Sequence, residues 1–155
     1  MSFQIHALPA EIFAPLFALP DEALRARDIR SVVADGRPVY PCRVSLQDAL
    51  VGERLLPLPY DHYRVDTPYR ASGPVYVREV ATQALPAIEE VPALLRTRLL
   101  SLRAYDARGI MIWADVVPGT EVEAAIEALY AIERTAYIHI HYAKPGCYAC
   151  RIERV

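Results

Sequence analysis

Tyr-Ile-His-Ile-His-Tyr, at positions 137 to 142, is an unbroken alternation that a β-strand sorts into one apolar and one polar face. Ile138 and Ile140 would point into a core while His139 and His141 project together on the other side. The same period of two recurs at residues 3–8 and at residues 74–80, where Val75 and Val77 share a face. It recurs again at residues 99–105, where Leu100, Leu102 and Ala104 do. Asp106-Ala107-Arg108-Gly109 reads as a four-residue hairpin loop leading into a strand over 110–117, and residues 148–155 can pair back onto 137–142.

The helical signals are shorter. Thr120-Glu121-Val122-Glu123 has the pattern of a capping box, with Val122, Ala125, Ile126, Leu129 and Ile132 following at helical spacing. Short helices are expected after Pro9, after Pro20 with Asp21 and Glu22 in the first turn, and over 88–98 with Pro92 near the start. The first two should pack through Ile12, Phe13, Leu16 and Leu24. Residues 29–33 and 39–46 flank the turn signal Asp35-Gly36 as a possible hairpin, Ser45 is placed to cap a turn through Asp48, and 54–58 gives a further strand. Residues 59–74, rich in proline and tyrosine, are the best loop candidate. The expected fold is α+β: a single domain over residues 1–155, mostly antiparallel sheet with several short helices packed on it.

A chain of 155 residues can bury roughly 70% of the surface it exposes when unfolded, so it needs neither disulfide nor metal to fold. Apolar residues make up 54% and charged residues 23%, a globular balance. The net charge of -2 offers no basic field for phosphate backbones, so nucleic acid is not an expected partner. Pro9, Glu11, Pro15 and Pro20 break the first apolar stretch and no basic segment precedes it. Neither a signal peptide nor a membrane span is expected, and the expected compartment is the cytoplasm. In a reducing compartment the three cysteines are thiols, ligands or core filler.

Two constellations carry chemistry. The first, His139 to Cys150, holds two of the four histidines and two of the three cysteines. His139, His141, Cys147 and Cys150 are a permitted tetrahedral ligand set with zinc as the candidate ion. A regular hairpin divides the cysteines between the two faces, so either register leaves three candidate ligands. All four would need residues 146–150 to form an irregular knuckle. The alternative is that the histidines are hydrogen-bonded strand residues and the cysteines small buried hydrophobes.

The second is the segment 59–79. Arg70 can clamp a carboxylate or phosphate, Ser72 offers a hydroxyl, Gly73 allows close backbone approach, and His62 and Tyr69 stand nearby. These residues resemble the rim of a pocket for a small anion. Their alternative is a surface loop pinned by prolines, with solvated arginines. Cys42, beside Arg43, is a third and weaker feature: a thiol with His62 as its base is conceivable, but a buried structural cysteine is the commoner case. No phosphate-loop or dinucleotide motif occurs.

The phrases YPCRVSLQDA, SGPVYVRE and YIHIHYAKPGCYACRIERV resemble, together with nearly the whole chain, a small bacterial family known as domain of unknown function 1203. The resemblance implies a stand-alone bacterial protein and carries no activity or site residue with it. Three readings stand open. The first is a cytoplasmic protein binding a small anionic ligand at the Arg70 loop, with a metal site beside it. The second is a metal- or thiol-dependent enzyme acting on a small molecule. The third is an interaction module forming a homodimer through exposed strands. The first two call for a concave pocket lined by Arg70 and His62, the third for a flat apolar patch.

Overall fold

The computed structural model describes residues 2–36 and 40–155. The strands are β1 (Phe3–His6), β2 (Val32–Val33), β3 (Arg54–Tyr63), β4 (Ala71–Arg78), β5 (Leu99–Tyr105), β6 (Met111–Pro118), β7 (Tyr137–Tyr142) and β8 (Tyr148–Arg154). They form a five-stranded sheet in the order β1-β8-β7-β5-β6 and a three-stranded sheet in the order β2-β3-β4, antiparallel throughout. The α-helices are short: α1 (Asp21–Arg25), α2 (Ala93–Arg96) and α3 (Val122–Ala131). The α+β class read from the alternation is the one observed.

One face of the larger sheet carries the main core. Leu100, Leu102 and Ala104 of β5, Ile138 and Ile140 of β7 and Ile152 of β8 are fully buried against Val122, Ile126 and Leu129 of α3 and Leu95 of α2. Each large side chain removed from water in this way contributes about 1.5–3 kcal/mol. A second cluster joins Leu56 and Leu58 of β3, Val75 and Val77 of β4, and Tyr148 of β8 to Phe13, Leu24, Ile29, Cys42 and Val44. The smaller sheet thereby covers part of the other face of the larger one.

Several local expectations are corrected. Residues 59–74 are not one long loop: β3 runs on to Tyr63 and pairs with β4 from Ala71, leaving only 64–70 outside the strands. The prolines permit this because the Pro57 carbonyl accepts from the Arg30 amide, on the side of β3 away from β4. N–H and C=O of one strand residue point the same way, so Pro57 and, two residues on, Pro59 lack donors where β2 no longer continues. β2 pairs with β3, not with 39–46, whose first residue lies outside the described ones. Ser45 caps no helix; its hydroxyl accepts from the buried Arg78 guanidinium, which also grips Glu53 with two bonds of 2.6 and 2.7 Å. The helix over 88–98 shrinks to α2. The capping box does not close: a 3-10 turn, Gly119–Glu121, precedes α3, and Glu123 pairs with Arg96 instead. Ile12 faces outward, while Phe13 and Leu24 pack as expected.

Gly119 is where the β5-β6 hairpin meets α2. Its amide donates to the Arg98 carbonyl at 2.8 Å, and a Cβ there would stand 1.9 Å from the Leu95 carbonyl oxygen. Gly119→Ala must therefore push backbone against backbone. It is expected to destabilise the fold by about 1–3 kcal/mol or more, as overpacking does, read as a lowered urea midpoint. An unchanged midpoint would contradict this packing.

Candidate metal centre

Both faces of β7 are buried. The isoleucine face enters the main core, and His139 and His141, 2% and 1% exposed, are covered by the smaller sheet and by tyrosines. Two bulges make this fit. On β3 the register shifts between Tyr60 and Tyr63, so that two consecutive side chains turn inward where a regular strand would send one out. His62 then meets His141, with ring centroids 5.2 Å apart, and Tyr63 meets His139 at 4.9 Å. On β8 a second shift places Tyr148 opposite His141 and Cys150 opposite Ile140.

Tyr148 is the floor of the cluster. Its ring stacks on His62 at 5.0 Å, nearly parallel, and stands edge-on to His139 and His141. Tyr63, Tyr105 and Tyr137 close the far side of His139. One ring nitrogen from each of His62, His139 and His141 lies within 4.8 Å of the other two. His62 Nδ1, His139 Nδ1 and His141 Nε2 are all buried without a hydrogen-bond partner. The Nδ1–H of His141 donates to the Gly146 carbonyl at 3.0 Å, which fixes the neutral tautomer with its lone pair on Nε2.

The structure thus unites His139 and His141 but separates the cysteines from them. Cys150 lies in the main core, fully buried. The Cys147 carbonyl accepts from the Tyr142 amide at 2.9 Å, which sets Cys147 beside Tyr142 and away from His141. The bulge decides this, and neither regular register weighed from the sequence includes it. His62 takes the third place instead.

The other members of the Arg70 loop do not join it. Arg70 is exposed and pairs with Asp66 at 3.6 Å, Ser72 and Tyr69 are exposed, and the space around Gly73 is open. Neither Arg70 nor His62 lines the concavities near Pro92, Tyr142 and Trp113. Cys42 is fully buried, with its sulfur 3.4 Å from the amides of Ser45 and Arg78. His62 turns toward His141 and Tyr148, not toward that thiol.

Burial holds all three imidazoles neutral. Loss of solvation, reinforced by Arg151 and the other histidines, lowers His139 to about 3. Burial lowers His141 to about 4 against the opposing pull of the Gly146 carbonyl, and burial with Arg103 lowers His62. A histidine whose folded-state pKa is depressed binds its proton in the unfolded chain first. The stability it contributes is present above its ordinary value near 6.5 and is lost as pH falls toward 4 and then 3. The metal-free protein is therefore expected to melt at progressively lower temperature from pH 7 to pH 4.5. The difference between wild type and His139→Phe should shift toward the variant over the same range, and a pH-independent difference would count against a neutral buried His139.

Among the described residues no helix is long and apolar enough to cross a membrane. No curated protein and no solved structure shows significant similarity to the chain. The sequence profile described as "Protein of unknown function (DUF1203)" matches residues 39–154, which include the three histidines, both bulges and the strands that carry them. The chain belongs to that family.

Proposed function

We propose that the protein binds a divalent transition metal, zinc in the first place, through His62, His139 and His141. The observation that carries this reading is the set of three buried imidazole nitrogens, one on each ring, that have no hydrogen-bond partner. Buried polar atoms are nearly always satisfied, and a group of unsatisfied ones calls for an ion or an ordered water. Imidazole is a ligand for zinc, copper, iron and nickel. All three rings are neutral at ordinary pH, the state that coordinates. The carbonyl of Gly146 behind His141 is the kind of outer partner that orients a ligating ring.

Tetrahedral zinc with bonds of about 2.0–2.1 Å brings its ligand nitrogens to roughly 3.4 Å from one another. The observed spread of up to 4.8 Å closes by a modest rotation of the rings, above all of His62, the least buried of the three. Three protein ligands leave a fourth position for water, the arrangement of hydrolytic and hydration centres and not of closed structural sites. The enzyme reading would attach to this centre, with His62 as its half-buried edge, but the concavities near Pro92, Tyr142 and Trp113 do not reach the three histidines. An anionic ligand at the Arg70 loop finds less support, because that loop's side chains do not converge.

Zinc and cobalt titrations of chelator-stripped protein test the proposal. One equivalent per chain is expected, with the visible bands of four-coordinate cobalt and a raised melting temperature. His62→Ala, at the half-buried edge, should leave the fold intact and weaken binding by more than about tenfold, the loss that even an outer-shell partner can cost. Absence of stoichiometric binding, or binding that His62→Ala leaves unchanged, would sink the proposal.

A further inference from the structure

We infer a second site, independent of the histidine cluster: a pocket built on Arg43 that takes a small organic carboxylate with an apolar body. Arg43 is 1% exposed. Its Nε donates to the Tyr148 carbonyl at 2.7 Å and its Nη1 to the Pro41 carbonyl, while Nη2 makes no hydrogen bond to any described residue. Its guanidinium lies over the rings of Tyr142 and Tyr76, at 5.0 and 5.6 Å. No carboxylate stands among its electrostatic neighbours, which are Tyr142, Cys147, Tyr76 and Cys42.

A guanidinium stays charged in a protein, and a buried charge is expensive unless it is paired. Two other well-buried arginines obey that rule: Arg78 has Glu53 and Arg98 has Asp48. Arg43 does not, and it lines a cavity of about 620 Å³. The wall holds Arg43, Arg98 and Lys144 but neither Asp nor Glu. Arg98 spends its charge on Asp48, so Arg43 and Lys144 remain for a ligand. Tyr142 also contributes to this wall, and its hydroxyl is buried without a hydrogen-bond partner among the described residues.

Apart from Thr97 and Cys147, the rest of the lining is apolar: Pro41, Pro74, Pro145, Leu99 and the tyrosine rings. A cavity of this kind, mostly apolar with a few convergent polar groups, fits a small molecule better than a bare inorganic ion. The carboxylate would supply the counter-charge that the fold withholds from Arg43, and the walls would hold the body.

The test titrates 15N-labelled protein, in chelator so that no metal contributes, with 3-phenylpropionate, with its neutral amide and with inorganic phosphate. Saturable shifts at the amides of Arg43, Tyr76, Leu99 and Cys147 are expected for the acid, and none for the amide or for phosphate. Lys144→Ala, at the exposed rim, should raise the Kd by about twofold to fivefold, the range of an exposed charge pair. Arg43→Gln should abolish saturation. Should that variant fail to fold, Leu99→Glu sets a repelling carboxylate on a half-exposed wall position and should abolish binding by itself. Absence of saturable binding, equal affinity for the amide, binding of phosphate in place of the acid, or indifference to Leu99→Glu would each overturn the assignment.

Discussion

Strand β7 has no solvent side, and the rest of the molecule is organised around covering it twice. Apolar cover is simple: Ile138 and Ile140 enter the core cluster that residues of α2 and α3 share. The imidazole side is harder, because buried ring nitrogens lose water and need replacements. The protein meets it with aromatic rings, chiefly Tyr63, Tyr105, Tyr137 and Tyr148, brought in from β3, β5, β7 itself and β8. Rings fill volume around an imidazole without charging it. They leave the ring nitrogens available to one another, and this is why burial and a cluster of coordinating atoms occur together here.

Much of this was legible in the sequence. The period-two stretches at Leu99–Tyr105 and Tyr137–Tyr142 named their own strands and inward faces correctly, because on a strand the side-chain period is fixed by the backbone. The pairing of His139 with His141 followed from the same rule. Their third partner was hidden by the prolines of β3, which read as loop. The alternation Leu56, Leu58, Tyr60, His62 was nevertheless present and pointed to a strand carrying His62 on the face of Leu56. The bulges could not be read, since a one-residue slip is decided by packing across the sheet and not by local preference. That slip moved Cys150 into the core and Tyr148 toward the histidines.

The arginine-rich composition divides into distinct structural tasks. Arg78 ties β4 to Glu53 and to the turn at Ser45 and Gln47. Arg98 ties the start of the β5 hairpin to Asp48, and Arg108 and Arg134 converge on Asp106. Arg78 and Arg98 each reach several acceptors and so exploit the fork of the guanidinium, which a lysine could not reproduce, whereas Arg108 and Arg134 each give Asp106 a single side-chain bond. Arg78 thereby binds the segment around 41–48 to that around 71–79, so two of the phrases by which the chain resembles its family brace one another.

The neighbouring strands β1 and β8 come from opposite ends of the described chain: Phe3 lies opposite Arg154, and the Val155 amide reaches the Ser2 carbonyl at 3.1 Å. During synthesis β1 must therefore wait for every other described strand to be made before its ladder partner exists. Until then Phe3 and Ile5, destined for the main core, have no sheet to join. A nascent chain of this protein consequently carries an unsatisfied strand edge from the making of β1 until that of β8, a condition in which a growing polypeptide is exposed to association with its neighbours and to the attention of chaperones.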